Sequence, residues 1–522
     1  MGACAVREEV DLFENARVSF EGLVTRLKGR QALGMKHNEL EAMVGSQGQD
    51  VLQQLLQDHL KLRALTEEKQ ASVVGADGVE RTHVRDRSRT LMTLLGPVNV
   101  ERKGYSARGT ESVFPMDAEL NLPVESFSLG VRRRVATEVV RGSYDDVVES
   151  IQATTAARVS KRQVEQLAVR AAVDFDAFYA LRQQEAAGAP PPSPAGPPLL
   201  VLTTDGKGVV MRKDALREAT REAADAAQPP MKKRVASGQK ANRKRMAQVA
   251  SVYEVAPFMR RPIDIVHDLR PVPDDKRPAP PKPVNKRVWA SLEKTSEEVI
   301  AEMFAEAHSR DPEHRRRWVV LVDGSGPQLE AIKRQASRLG VSITIIMDVI
   351  HVIEYLWQAG MCLMPAGTAD LERWVNEHLL DVLSGKAAVV GAAIRRSATA
   401  RKLSKKARKA ADKCADYLQN HAEYLRYADA LSDGLPIATG VIEGTCRHLI
   451  KDRMDITGAR WGLTGAESVL RLRALKQSGD FEDYWNFHVE QEEVRNHLAA
   501  TSANTKSNQP PALRLIHGGA SS

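Results

Sequence analysis

A chain of 522 residues, 43% apolar and 27% charged, exceeds one ordinary domain and has the composition of a globular protein of roughly two to four domains. Its net charge of +8 and pI near 9.2 favour an acidic partner such as nucleic acid, a basic housekeeping enzyme being the plainer alternative. Four cysteines without a C-x-x-C pair argue against a zinc ribbon or disulfide framework and suit a reducing cytosol; no apolar run nears the ~20 residues of a membrane span, and the first residues lack a secretory apolar core.

Residues 1–88 read as a helical N-terminal region. In VLQQLLQDHLKL, Leu52, Leu55, Leu56, Leu60 and Leu62 recur at helical spacing and predict a broad apolar face. Residues 89–185 open on a short hairpin, where Val98 and Val100 alternate with polar residues behind Gly96-Pro97, and continue as helices. Ser160 and Gln163 form a capping box that starts one helix, with Lys161 and Arg162 between them. A helix, a turn and a capped basic helix resemble a helix-turn-helix, and a plain bundle with a solvated basic edge fits equally well. Residues 186–198, AAGAPPPSPAGPP, are a proline-rich linker and a domain boundary.

Beyond it, LLVLTTD (199–205) predicts a strand, which GVVM continues after a D-G-K-G turn. MAQVASVYEVAPF (246–258) is a further strand, and VWASLEKTSEEVIAEMFAEAHSRD is a helix. WVVLVD (318–323), the helix GPQLEAIKRQASRLG closed by Gly340, VSITIIMD (341–348) and the helix HVIEYLWQAG follow. This order implies a mixed sheet with helices on its faces, formed by residues 199–364 and 433–496. Residues 365–432 hold no strand pattern and read as a helical insertion, strongly basic over 401–413. Residues 497–522 are expected to be a disordered tail.

Three acids carry the chemistry. Asp205 and Asp323 each end an apolar strand, and Glu443 sits in the first turn of a helix. Singly, each reads as a turn or helix-start residue. Jointly, they suit a site for Mg²⁺, a hard ion that takes oxygen ligands, with Mn²⁺ as a substitute. Two such ions about 3.5–4 Å apart can activate an attacking oxygen and stabilise a leaving one, which points to phosphodiester chemistry. Asp348 and His351 form D-x-x-H at another strand end. His351 is open to contacting DNA, ordering a carboxylate or donating a proton; Asp348 is a helix cap or lies behind the metal ligands. Arg447, four residues after Glu443, either pairs with it or binds phosphate.

Two basic stretches flank these acids. The first holds Lys232, Lys233, Arg234, Lys240, Arg243, Lys244 and Arg245, and the second Arg401, Lys402, Lys405 and Lys406. Such residues contact phosphates and set affinity rather than sequence choice. Arg453 and Arg460 add to them, and Trp461 reads either as a core residue or as a platform for a displaced base.

The segments TTDGKGVVMR, QKANRKRMAQVASVYEVAPF, LVDGSG, DVIHVIEYLW and GVIEGTCRHLIKDRMDITGARW resemble bacterial insertion-sequence transposases of the ISKra group. The likeness continues upstream through LLGPVNVERKGY, LNLPVESFSLGVRRRVA and SKRQVEQLA. It implies a DDE-type enzyme: a multi-domain α/β plus α protein with a ribonuclease H-like mixed-sheet catalytic domain, interrupted by a helical insertion and preceded by a mainly helical DNA-binding region. It further implies that Asp205, Asp323 and Glu443 are the catalytic triad. The D-x-x-H is similar to a motif of Mutator-type enzymes. The partners implied are double-stranded DNA, as terminal inverted repeats and target, and a second copy or more of the chain on that DNA. The location implied is the bacterial cytoplasm, at the nucleoid. One departure is that Tyr105 is followed by SARGTESVF, without the cysteine pair of related enzymes, so no zinc-stabilised N-terminal module is expected.

Overall fold

The computed structural model describes residues 11–188, 199–226, 243–269, 278–456 and 458–498. Packing divides the chain into two compact units, residues 1–135, 145–164 and 485–522 in the first and residues 136–144 and 165–484 in the second. Most of the proline-rich linker, Lys232, Lys233, Arg234 and Lys240, and the tail beyond residue 498 lie outside the described residues.

Up to the linker the elements are α1 (Glu14–Lys28), α2 (Arg30–Leu33), α3 (His37–Thr66), β1 (Val73–Val74), β2 (Glu80–Arg81), β3 (His83–Thr93), β4 (Gly96–Ser106), α4 (Pro115–Glu119), α5 (Leu129–Val139), α6 (Tyr144–Thr154), α7 (Lys161–Ala171) and α8 (Phe175–Gly188). The hairpin β3–β4 is antiparallel throughout and starts earlier than Arg89, at His83. The first unit buries Leu60, Leu91, Val98, Val100 and Met116 together, with Leu56 packed against them. Leu52 and Leu55 are exposed, because α3 meets α1 and β4 along a stripe narrower than the five leucines span. The capping box forms at α7: the Ser160 N–H donates to Gln163 Oε1 at 2.8 Å, and the Gln163 N–H reaches Ser160 Oγ at 3.5 Å. Helix α8 belongs to the second unit despite preceding the linker. There the Tyr179 hydroxyl donates to Asp480 at 2.8 Å, and Phe178 meets Tyr484 edge-on.

The second unit continues with β5 (Leu199–Val210), α9 (Glu218–Ala226), β6 (Lys244–Val255), α10 (Pro262–Asp268), β7 (Val284–Ser291), α11 (Ser296–Arg310), β8 (Arg317–Val322), α12 (Gly326–Leu339), β9 (Ile343–Met347) and α13 (Val349–Leu363). The strands form one mixed sheet in the order β7-β6-β5-β8-β9. β7, β6 and β5 run antiparallel, and β5, β8 and β9 run parallel. Residues 199–204 are buried without interruption. Since successive side chains point to opposite faces, both faces of β5 are covered.

Two expectations are corrected here. D-G-K-G is not a turn: Asp205, Gly206, Lys207 and Gly208 pair with Val249, Gln248, Ala247 and Met246, so β5 runs on unbroken. The long antiparallel ladder with β6 outweighs the local turn preference of Asp-Gly. VWAS does not open a helix but ends β7, a strand that the sequence pattern does not announce. The helix begins after Thr295, whose Oγ1 accepts from the Glu298 N–H at 3.3 Å while Glu298 accepts from the Thr295 N–H at 2.7 Å.

Residues 365–432 are helical as expected, as α14 (Ala369–Leu383), α15 (Ala387–Ala400), α16 (Lys409–Asn420) and α17 (Tyr427–Ser432). The chain then returns through α18 (Gly440–Thr445), a π-helical segment Cys446–Lys451, α19 (Asp452–Met454), α20 (Leu463–Ser478) and α21 (Phe481–Glu493). On the way back, Gly434 accepts from the Phe258 N–H at 2.8 Å, and Leu435 O accepts from the Arg260 guanidinium at 2.9 Å. Gly434 has φ +72°, and a Cβ there would meet Phe258 N at 2.7 Å. Gly434→Ala is therefore expected to cost about 1–3 kcal/mol, read as a lower urea midpoint; an unchanged midpoint would show that this return is not tightly held.

Candidate functional site

The parallel register sets the site. β5 pairs with β8 up to Thr203↔Leu321, and β8 pairs with β9 up to Val322↔Met347. Continuing both ladders past the end of β8 puts Asp205, Asp323 and Asp348 at one level on three neighbouring strands, which stand roughly 5 Å apart. Asp205 is thus inside β5 and yet at the place where its parallel partner stops.

Each acid is satisfied differently. Asp205 Oδ1 accepts from the Gly206 N–H at 2.6 Å, and Oδ2 accepts from the Cys446 thiol at 3.1 Å. Asp323 is half-buried, and its Oδ1 is buried without a hydrogen-bond partner. Burial, and next the charge of Asp205, raise the Asp323 pKa above 3.8, while His351 opposes the rise. Asp348 is 3% exposed and caps α13, its Oδ1 accepting from the Ile350 N–H at 2.9 Å. It also accepts from the Thr439 N–H at 3.2 Å and from the Thr439 hydroxyl. His351 sits half-buried in the first turn of α13, with Nδ1 3.6 Å from Glu354.

Glu443 lies in the first turn of α18, which packs against β5 and β6. Its side chain is exposed. The Cys446 thiol registers both neighbouring acids: burial pushes its pKa up, followed by Asp205 and then Glu443, and Lys207 opposes them. Arg447 is exposed, and no ion pair joins it to Glu443 among the described residues. Among those residues no three His, Cys, Asp or Glu side chains stand close enough together to hold a metal ion. Asp205 and Asp323 are the pair that could hold one, since a buried carboxylate oxygen without a partner among the described residues stands beside a second carboxylate.

Several supporting residues carried no obvious motif. Tyr417 of α16 donates to Asp323 O at 3.2 Å, and His421 Nε2 lies 3.1 Å from Gly324 O. Gly324 has φ +97°, and a Cβ there would press on that His421 ring at 3.1 Å. Buried Arg473 donates to Leu449 O at 2.8 Å and to His448 O, satisfying carbonyls of the π segment after Glu443. Two signals were readable: Cys446 follows Glu443 at i+3 on the helix, and Lys207 shares a strand face with Asp205 at i+2.

The basic residues divide. Lys161, Arg162, Arg243, Lys244, Arg401, Lys402, Lys405, Lys406 and Arg460 are exposed. Lys161 is paired with Asp145 at 2.6 Å. Arg401 donates to Leu363 O, and Arg245 spends its guanidinium on Leu292 O at 2.7 Å and Ala215 O at 3.2 Å. Arg453 is a correction to the cationic surface, while Trp461 takes its core reading. Arg453 is 2% exposed, donates to Val139 O at 3.0 Å and lies 4.8 Å from the Trp461 ring centre. Trp461 is 6% exposed and donates through Nε1 to Met454 O at 3.1 Å, while its backbone bridges the end of β5. Both are packing residues, with no face left for a nucleic acid.

Residues 30–189 match an uncharacterised protein family, UPF0236, and the match ends before the strand that carries Asp205. No curated protein matches the chain. Among solved structures the chain is similar to the Drosophila P element transposase strand transfer complex, at 9% identity over 69% of this chain and 80% of that one, with a TM-score of 0.21. A likeness that low carries no weight for fold or function. No helix among the described residues is long and apolar enough to cross a membrane.

With its folded pKa raised, the charged form of Asp323 opposes folding; the penalty is absent below the unfolded value of 3.8 and complete once pH passes the folded value. In chelator-treated protein, Asp323→Asn is expected to raise the thermal midpoint at neutral pH, with a gain that shrinks as pH falls towards 4. Equal midpoints for the two proteins at pH 7 would show that Asp323 feels neither burial nor Asp205.

Proposed function

We propose that this protein is a DDE-type DNA transposase, related to the insertion-sequence enzymes of the ISKra group, with a ribonuclease H-like catalytic domain in its second unit. It binds the ends of its own mobile element, cleaves phosphodiester bonds there and joins the freed 3′-ends to target DNA. The observation that carries this reading is the shared level of Asp205 and Asp323 on neighbouring parallel strands, with one carboxylate oxygen buried and unpartnered.

Asp205, Asp323 and Glu443 are the residues that hold divalent metal, Mg²⁺ or Mn²⁺. Bound there, the metal supplies Lewis-acid activation of the attacking oxygen and stabilisation of the leaving one. The chain's own contribution is position. Asp205 is locked by the ladder with β6, Asp323 is steadied by Tyr417 through its carbonyl, and Glu443 would join them from α18, which packs on β5 and β6. His351, within electrostatic reach of Asp323, orders that carboxylate. The exposed lysines and arginines at residues 243–244 and 401–406 contact phosphates, and Lys161 and Arg162 belong to a first unit that reads the terminal repeats. Synapsis of two ends requires at least a dimer on DNA.

The test uses full-length protein and duplexes carrying the inverted repeats that flank its coding sequence. Asp205→Asn, Asp323→Asn and Glu443→Gln are each expected to lower Mg²⁺-dependent cleavage on the order of 100-fold or more while leaving binding in chelator intact. Cutting by any of them at the wild-type rate would remove that residue from the site. Pre-cleaved ends and a supercoiled plasmid separate a transposase from a nuclease that never joins. Lys405→Ala with Lys406→Ala should flatten the dependence of log affinity on log salt by about 0.9 for each phosphate no longer neutralised; an unchanged slope would take this loop off the DNA.

A further inference from the structure

The third acid is separated from the second by the whole helical insertion, so something other than chain connectivity must bring α18 to the strand ends. We propose that a buried hydrogen-bonded clamp between Asp348 and Thr439 does this, and that the two are positioning residues for Glu443. The inference rests on the reading of Asp323 and Glu443 as one site.

The clamp joins the two halves of that site through few bonds. On one side, the Asp348 N–H donates to Val322 O at 2.9 Å, and Val322 is the residue bonded to Asp323. On the other, Thr439 is the N-cap position of α18, and its carbonyl accepts from the Glu443 N–H at 3.0 Å. Between them the Asp348 carboxylate takes the Thr439 N–H at 3.2 Å and the Thr439 hydroxyl, across 91 residues of sequence. The Val349 N–H adds a bond to Ile437 O at 3.0 Å. Asp348 is 3% and Thr439 5% exposed, so water does not compete for these bonds.

Capping of α13 by itself does not account for the arrangement. The cap uses one oxygen and one donor, Ile350 N–H; the second oxygen is committed to the Thr439 hydroxyl. Removing that hydroxyl without changing side-chain shape leaves Asp348 Oδ2 buried with no donor, a costly state for a carboxylate. The strain falls on the start of α18, because α13 keeps its own cap.

The experiment compares Thr439→Val and Thr439→Ser in the full-length protein. Amide hydrogen exchange over residues 440–445 is expected to quicken at least tenfold in Thr439→Val and to return towards the wild-type rate in Thr439→Ser, while the amides of α13 stay protected. With end DNA and Mg²⁺, Thr439→Val should cut about tenfold more slowly at saturating DNA, with unchanged binding in chelator, and Thr439→Ser should restore the rate. Wild-type exchange over residues 440–445 in Thr439→Val overturns the clamp. Quickened exchange with a wild-type cutting rate overturns its role in positioning Glu443. Wild-type protein that cuts no end DNA overturns the transposase reading instead, and exchange still decides whether the clamp orders α18.

Discussion

Two parallel ladders in register, β5 with β8 and β8 with β9, put three aspartates on one level of the sheet. The charge of Asp205 acts on Asp323 beside it, and the surroundings answer each carboxylate in a different way. Asp348 is buried and saturated with donors. Asp205 has a backbone N–H and a thiol. Asp323 keeps an oxygen without a hydrogen-bond partner among the described residues. The fold therefore tolerates an unmet electrostatic need at one point.

The helical insertion is part of how that point is held. Tyr417 of α16 and His421, its C-cap, engage the carbonyls of Asp323 and Gly324, and the Tyr427 hydroxyl of α17 donates to Met347 O at 2.9 Å. These bonds grip the backbone at the ends of β8 and β9 rather than the carboxylates. The acids stay free to act while their loops are fixed. The basic loop before α16 is carried by the same helices, and its Arg401 donates to Leu363 O at the C-terminal end of α13, the end opposite the Asp348 cap.

The first unit has its own buried electrostatic anchor. Arg132 is 1% exposed and pairs with Glu125 and, at 2.7 Å, with Glu492; its Nη1 also lies 2.9 Å from His488 Nε2. A guanidinium shared among two carboxylates and an imidazole ties the start of α5 to the end of the described chain.

Much of this was legible before any coordinates. Apolar runs placed β5, β8 and β9, the capping box placed α7, and Gly340 closed α12. All of these are local signals, in which the decisive neighbour is within a turn or so of chain. What failed was decided at long range. D-G-K-G remains strand because β6 pairs with it, and VWAS is strand because β6 has a second edge to fill. Leu52 is exposed because the stripe of α3 that α1 and β4 cover is too narrow to include it. The sequence determined which carboxylates follow apolar runs and which one opens a helix. Only the tertiary structure decided that Asp205 and Asp323 share a level and that Asp348 and Thr439 join across the insertion, since register and burial are properties of pairs of segments and no single segment encodes them.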